Sequence, residues 1–377
     1  MLKRTALYET HQSLGARLVE FGGWEMPVQY SSIIDEHLAV RSSSGIFDIS
    51  HMGEIFVSGG EALRFVNLVL TNDASQLSPG EGQYTLMCND SGGVVDDLYL
   101  FRVGEEEFLW VVNASRIDAV AEWLDSLLTR FSFDDLTVEN RSDAFSAVAI
   151  QGPRVTEFIE ICLPGASVEG TCVERVGQLA KNEIAKFEFH GATGWVSRTG
   201  YTGEDGFEVI VENHLVSELW KSLMDEGHKG CLQPIGLGAR DTLRTEMGYP
   251  LYGHELGDLI SPLEAGLGYF VKLGKEDFVG KQALLAQKSA GLARRSVAFK
   301  MIGKTPPPRP DYSILVGSET VGITTSGSVS PCLKTGIGMA LIDVNYAKPG
   351  NDLSVEIRGR PFPAVTVKKP IYSKKSS

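Results

Sequence analysis

The sequence predicts an α+β protein that ends in a small all-β module. Three observations carry that class. Helix-like and strand-like segments follow one another without the regular alternation of a doubly wound sheet. The chain beyond Arg294 is rich in Gly, Val and Thr and shows little helical period. Its 377 residues, 43% of them hydrophobic, allow two or three domains.

Taken in order, "DEHLAVR" reads as a helix stopping near Gly45, followed by strand-like alternation at Ile46, Asp48, Ile55 and Val57. "GEALRFVNLVL" has apolar residues at helical spacing. "GQYTLMCND" and "VVDDLYLF" are two apolar runs around a Ser-Gly-Gly turn, a hairpin signal. "EEFLWVVN" is a strand, and "ASRIDAVAEWLDSLLTRF" a helix with Ile117, Val120, Leu124 and Leu127 on one face. The parts then recur: strand "FSAVAIQGP", helix "RVTEFIEICL", strands from Glu183 to Val211, and helix "LVSELWKSLMDEG". "TPPPRP", Thr305 to Pro310, reads as a stiff, linker-like break. "RRSVAFKMI" before it is already strand-like.

Composition narrows the function. A net charge of −13 argues against a nucleic-acid binder, which needs a basic face, but leaves room for an anionic small ligand in a local basic pocket. No run of about eighteen apolar residues suggests a membrane span, and the N-terminal stretch lacks the apolar core of a secretory signal. A cytoplasmic protein is expected. Cys88, Cys162, Cys172, Cys231 and Cys332 form no CxxC pair and read as free thiols of a reducing compartment, Cys88 and Cys162 in the core. The histidines lack the HxxxH or HExxH spacing of a metal site, so no bound metal is expected. No Gly-x-Ser-x-Gly or Cys/His spacing supports covalent catalysis.

Three stretches carry chemistry. In "SGGVVDDLYLF" strand alternation puts Val94, Asp96, Leu98 and Leu100 on one face and Val95, Asp97, Tyr99 and Phe101 on the other. Only one aspartate can face a pocket, and periodicity does not choose which. In "SRTGYTGEDGFEVIV" three glycines allow tight turns or close approach to a ligand. Glu208 beyond them either accepts paired hydrogen bonds from a guanidine-like edge or is an exposed acid of a Gly-rich hairpin. In "GLGARDTLRTEMG" Arg240 falls in the first turn of a helix, against the dipole preference, so it meets either an anionic ligand or a nearby acid such as Asp241. Met52 reads as pocket wall or core, and His51 as a hydrogen-bonded structural histidine.

Together these segments resemble one family, the aminomethyltransferases (T-proteins) of the glycine cleavage system. The matching motifs are "FGGWEMPVQY", "GIFDISHMGE", "NDSGGVVDDL", "AIQGP", "SRTGYTGEDGFE", "GLGARDTLR", "PLEAGLGY", "DFVGK", "TSGSVSP" and "KKPIY", which run in order over almost the whole chain. The resemblance implies an α+β, three-domain fold. Two interleaved, partly ferredoxin-like domains fill residues 1–290, and a C-terminal β-barrel fills residues 291–377, around a central folate cavity. It implies transfer of the aminomethyl carbon from the dihydrolipoyl arm of the H-protein to tetrahydrofolate, with release of ammonia. The lipoyl H-protein and other glycine cleavage components are the implied partners, with no role for nucleic acid or membrane.

Carried over residue by residue, the resemblance assigns the key carboxylate to Asp97, a pterin-side acid to Glu208 and a partner of the folate carboxylate end to Arg240. Tyr84, Met52, Asn113 and Tyr201 correspond to cavity-lining positions, and Tyr372 to a C-terminal tyrosine reaching the site. The chain departs from the family at Lys181-Asn182, where many members carry an aromatic pair, at Tyr269, where Trp is common, and at Cys332, where Thr is frequent. The alternatives on the same fold are a folate-dependent demethylase and a non-enzymatic folate-binding protein. The latter group carries a Lys-Gly-Cys motif that "HKGCLQP" matches only in part.

Overall fold

The computed structural model describes residues 2–229 and 232–374, so Cys231 lies outside the described residues. Two units interleave along the chain. The first comprises Met1–Leu68, Asn72–Thr85 and Leu98–Arg240; the second comprises Val69–Thr71, Leu86–Asp97 and Asp241–Ser377.

The first unit is built on two sheets. One has seven strands in the order Glu169–Gly170, Ile184–Phe189, Ala192–Ser197, Gly206–Glu212, Phe145–Gln151, Ser44–Asp48 and Leu232–Pro234. Only the last pair is parallel. Alternation splits its faces: Phe207, Val209 and Val211 join Val148, Ile150 and Val196 in a core closed by Val216, Leu219, Trp220 and Leu223 of the helix Val216–Lys229. The opposite face carries Glu208, Ile210, Ala149 and Phe145.

The other sheet has five strands, ordered Gly82–Cys88, Val94–Gly104, Glu107–Val112, Gly53–Ser58 and Thr137–Asn140. The ends Leu86–Cys88 and Val94–Asp97 count with the second unit. One face meets helices: Trp110 stacks on Phe65 of Ala62–Val69, and a Cβ on Gly53 would sit 2.7 Å from Ile117 of Ile117–Arg130. From its other face Phe56 packs on Phe145 of the seven-stranded sheet, ring centroids 5.7 Å apart. The inner faces of the two sheets therefore meet.

The second unit contains a closed six-stranded barrel, in the order Arg294–Met301, Thr335–Asp343, Glu319–Ser330, Ser313–Val316, Asp352–Ile357 and Arg360–Val367, the last pairing with the first. Val297, Phe299, Ile314, Ile342, Val355 and Ile357 fill it. Gly338 makes room for that core, since a Cβ there would lie 2.6 Å from the Phe299 ring.

Two expectations change. "TPPPRP" is a loop within the barrel, joining its strands Arg294–Met301 and Ser313–Val316. "RVTEFIEICL" forms a 3₁₀ turn, Val155–Glu157, and a four-residue helix, Ile159–Cys162, broken at Phe158 with φ −133°. Its run of β-branched residues (Val155, Thr156, Ile159, Ile161) weakens the helix that its spacing suggested. No described helix is long and apolar enough to cross a membrane.

Candidate active site

Glu208 pairs across the sheet with Ser197 and Ala149 and points to the inner face. Thr199 Oγ1 donates to its Oε2 at 2.5 Å, and Thr199 is itself bonded to the Ser197 hydroxyl at 2.7 Å. Burial pushes the Glu208 carboxyl above the usual carboxylate range, and the Thr199 bond and the Arg240 charge oppose that rise.

Arg240 sits in the first turn of the helix Leu237–Met247, its guanidinium 4.8 Å from the centre of the Tyr201 ring. The helix start is fixed by Glu36, fully buried, whose carboxylate accepts the N–H groups of Tyr30, Ser31 and Gly236 at 2.6, 2.9 and 2.8 Å. Gly236 allows the chain to pass Val28 so closely that a Cβ would lie 2.4 Å from its backbone. Asp241 does not serve Arg240: its carboxylate pairs with Arg244 at 2.7 Å. The Arg240 guanidinium makes no hydrogen bond or ion pair within 4.0 Å among the described residues. Burial draws its pKa down, against the pull of Tyr201 and Glu208. Five N–H donors are thus held beside a carboxylate and an aromatic ring with no acceptor of their own.

His51 corrects its expectation. It is buried against the edge of Phe21, and its Nδ1 has no hydrogen-bond partner among the described residues. Burial lowers its pKa to about 4, with Asp48 opposing and Arg240 adding to the fall, so the ring is neutral at pH 7. The histidine satisfied by Asp48 is His11, whose Nε2 lies 2.8 Å from Asp48 and whose Nδ1 lies 2.8 Å from Tyr30. Glu54 carries no signal in the sequence. It is fully buried on the inner face of the five-stranded sheet, both oxygens unpartnered among the described residues, and burial raises its pKa to about 8.

The remaining residues are distributed as follows. Met52 and Asn113 are half-buried and directly flank the paired residues Gly53 and Val112. Tyr84 is half-buried in Gly82–Cys88, its carbonyl accepting from the Asn72 amide at 3.0 Å. Asp97 and Tyr372 belong to the second unit. Along Val94–Gly104, Asp96, Leu98 and Leu100 are at most 2% exposed, whereas Asp97 and Tyr99 are partly open. The two aspartates therefore alternate as expected, and Asp96 is not solvated. Tyr372 N–H donates to the Glu246 carbonyl at 3.0 Å.

Of the departures, Asn182 has φ +72° and its carbonyl accepts from Gly82 N–H at 2.8 Å. Asparagine is among the few side chains that tolerate this left-handed conformation. Tyr269 is 79% exposed, edge-on to Phe270 and covered by Lys272.

Residues 7–275 match the GCVT N-terminal domain family, and residues 294–373 match the glycine cleavage T-protein C-terminal barrel domain. The chain is 45% identical over 373 residues to an aminomethyltransferase of Lysinibacillus sphaericus, covering 99% of this chain and 98% of the relative. It is 44% identical to one of Caldanaerobacter subterraneus subsp. tengcongensis, covering 99% and 96%. The crystal structure of glycine cleavage system aminomethyltransferase T from Bartonella henselae superposes with a TM-score of 0.89 at 30% identity, covering 99% of this chain and 98% of that one. With both of its segments matched and its whole length shared, this chain belongs to the aminomethyltransferase family of glycine cleavage T-proteins.

Proposed function

We propose that the chain transfers the carbon of an aminomethyl group, carried on the reduced lipoyl arm of an H-protein, to tetrahydrofolate. Ammonia, methylene-tetrahydrofolate and the dihydrolipoyl carrier are the products. The observation that carries the reading is the inner-face cluster of Thr199, Glu208, Tyr201 and Arg240 in a chain of this family. A carboxylate fixed on one side by a hydroxyl offers its other oxygen sites to the amino-pyrimidinone edge of a pterin. Because Arg240 sits beside Glu208, we assign it to the pterin end, where its donors suit a ring carbonyl, rather than to the folate tail. Tyr84, Met52, Asn113, Tyr201 and Tyr372 are assigned to the cavity wall.

The chemistry needs placement and proton handling. The substrate carbon lies between sulfur and nitrogen. Its C–N bond breaks as the nitrogen is protonated, and a folate nitrogen captures the electrophilic carbon. The second folate nitrogen then closes the ring as the C–S bond breaks. The two protons lost from the folate nitrogens balance those gained by ammonia and by the thiolate. We assign Asp97 to steadying the positive carbon and relaying these protons. Held in one dry cavity, the two substrates gain proximity. The folate-handling region is placed at residues 1–290 and the barrel domain at 291–377. Among the described residues Cys88, Cys162, Cys172 and Cys332 form no disulfide, which suits the cytoplasm.

The test is an assay with aminomethyl-loaded lipoyl H-protein and tetrahydrofolate, reading ammonia and methylene-tetrahydrofolate. Asp97→Asn is expected to lower kcat by about 10²–10⁴ while tetrahydrofolate still binds. Wild-type turnover in that variant would remove Asp97 from the mechanism.

A further inference from the structure

The last residue of the strand Phe145–Gln151 is enclosed by the Gly-rich loop that carries Thr199 and Tyr201. Gln151 is 1% exposed. Its Oε1 accepts from Thr202 Oγ1 at 2.9 Å, and its Nε2 donates to the Thr199 carbonyl at 3.0 Å and to the Ile150 carbonyl at 3.3 Å. The loop wraps this amide so tightly that a Cβ on Gly200 would lie 1.9 Å from Oε1, and one on Gly206 would lie 2.5 Å from Nε2. Arg41, buried in the helix Ile33–Ser42, holds the same loop from outside, donating to the Thr202 carbonyl at 2.8 Å and to Glu204 at 3.0 Å.

We infer that Gln151 is a positioning residue of the folate site. Its side-chain amide is the template on which residues 199–206 fold. That fold aims the Thr199 hydroxyl at Glu208 and sets the Tyr201 ring against Arg240. Gly200 is a glycine because the amide occupies the space its side chain would need, and at Gly206 the amide and the Ile150 carbonyl together fill that space. Nothing in this role requires Gln151 to touch folate. Losing its anchor lets Thr199 turn away and leaves the half-buried Glu208 without its hydroxyl partner, supported only by the Arg240 charge. The inference rests on the assignment of Glu208 and Tyr201 to the pterin site.

Gln151→Ala removes the template but also opens a cavity at the sheet, so smaller changes test the idea. Thr202→Val deletes one of the amide's bonds at nearly constant volume, Thr202→Ser retains it, and Gly200→Ala displaces the amide directly. Tetrahydrofolate binding is measured by calorimetry, and KM for folate and for the H-protein is measured in the transfer assay, with thermal unfolding alongside. Thr202→Val and Gly200→Ala are expected to weaken tetrahydrofolate about five- to tenfold, the loss of about one buried hydrogen bond. Their kcat and H-protein KM should stay within about twofold, and Thr202→Ser should restore binding. Glu208→Gln is run in parallel. If it weakens tetrahydrofolate while Thr202→Val and Gly200→Ala do not, the positioning role is overturned and the site stands. If Glu208→Gln itself leaves tetrahydrofolate binding unchanged, the site assignment beneath the inference has failed.

Discussion

Among the glutamates on the facing sides of the first unit's two sheets, Glu208 and Glu54 are treated differently. Glu208 on the seven-stranded sheet has a hydroxyl at 2.5 Å and a guanidinium nearby. Glu54 on the five-stranded sheet has neither among the described residues, and burial alone sets its pKa at about 8. Burial disfavours charge on both, but only Glu208 has partners that favour the ionised form. The first is suited to receive donors from a ligand; the second is a neutral carboxylic acid at pH 7. Glu54 is the more deeply buried of the two, and Glu208 alone combines partial burial with neighbours that support its charge.

The largest effect should come from Glu54. Its folded pKa lies above the unfolded value, so the stability it confers is fully present below about pH 4.5 and is lost as pH rises through about 8. Glu54→Gln should flatten that decline and be more stable than the parent at pH 8 by about 2–4 kcal/mol, as read from denaturant unfolding at pH 6 and pH 8. Equal slopes in both proteins would mean that Glu54 has a charge-supporting partner after all, and the contrast with Glu208 would collapse. Next is Glu208→Gln, expected to weaken tetrahydrofolate about tenfold to a hundredfold through loss of a charged hydrogen bond, with little change in folding stability. The smallest effect sharpens the role of Arg240. Its charge lowers the Glu208 pKa, so Arg240→Met should move the acidic limb of tetrahydrofolate binding to higher pH, by about one pH unit or less. A limb that stays in place would show that Arg240 acts on the ligand alone.

How much of this could be read beforehand depends on range. Alternation along Val94–Gly104 sorted Asp96 from Asp97 because a strand's two faces are set by the backbone itself. The all-β character of the C-terminal module was legible in its glycines, valines and threonines, whereas its closure into a barrel came from the family resemblance. The family motifs pointed to Glu208 and Arg240, and the structure brings those two together. Other assignments depended on partners far along the chain. The glycines of "SRTGYTGEDG" suggested approach to a ligand, yet Gly200 is emptied for an amide from Gln151. Asp241 looked available to Arg240 until Arg244, one turn on, took it. Glu54 and Phe56 lie on the face that alternation reads as the open one, and only the stacking of a second sheet seals that face.

The interleaving of the two units also bears on how the chain is made. The turn after the strand Gly82–Cys88 is completed by a bond from the Asn89 amide to the Asp258 carbonyl, 169 residues later, at 3.1 Å. Cys88 likewise packs against Val271, Phe278 and Leu284. At about 5–20 residues per second, a ribosome would deliver Asp258 roughly 8–34 s after the hairpin, and Leu284 roughly 10–39 s after it. For that interval the nascent chain presents an apolar hairpin end with nothing to cover it. A ribosome stalled before residue 258 should therefore expose Cys88 to thiol reagents that the finished protein excludes.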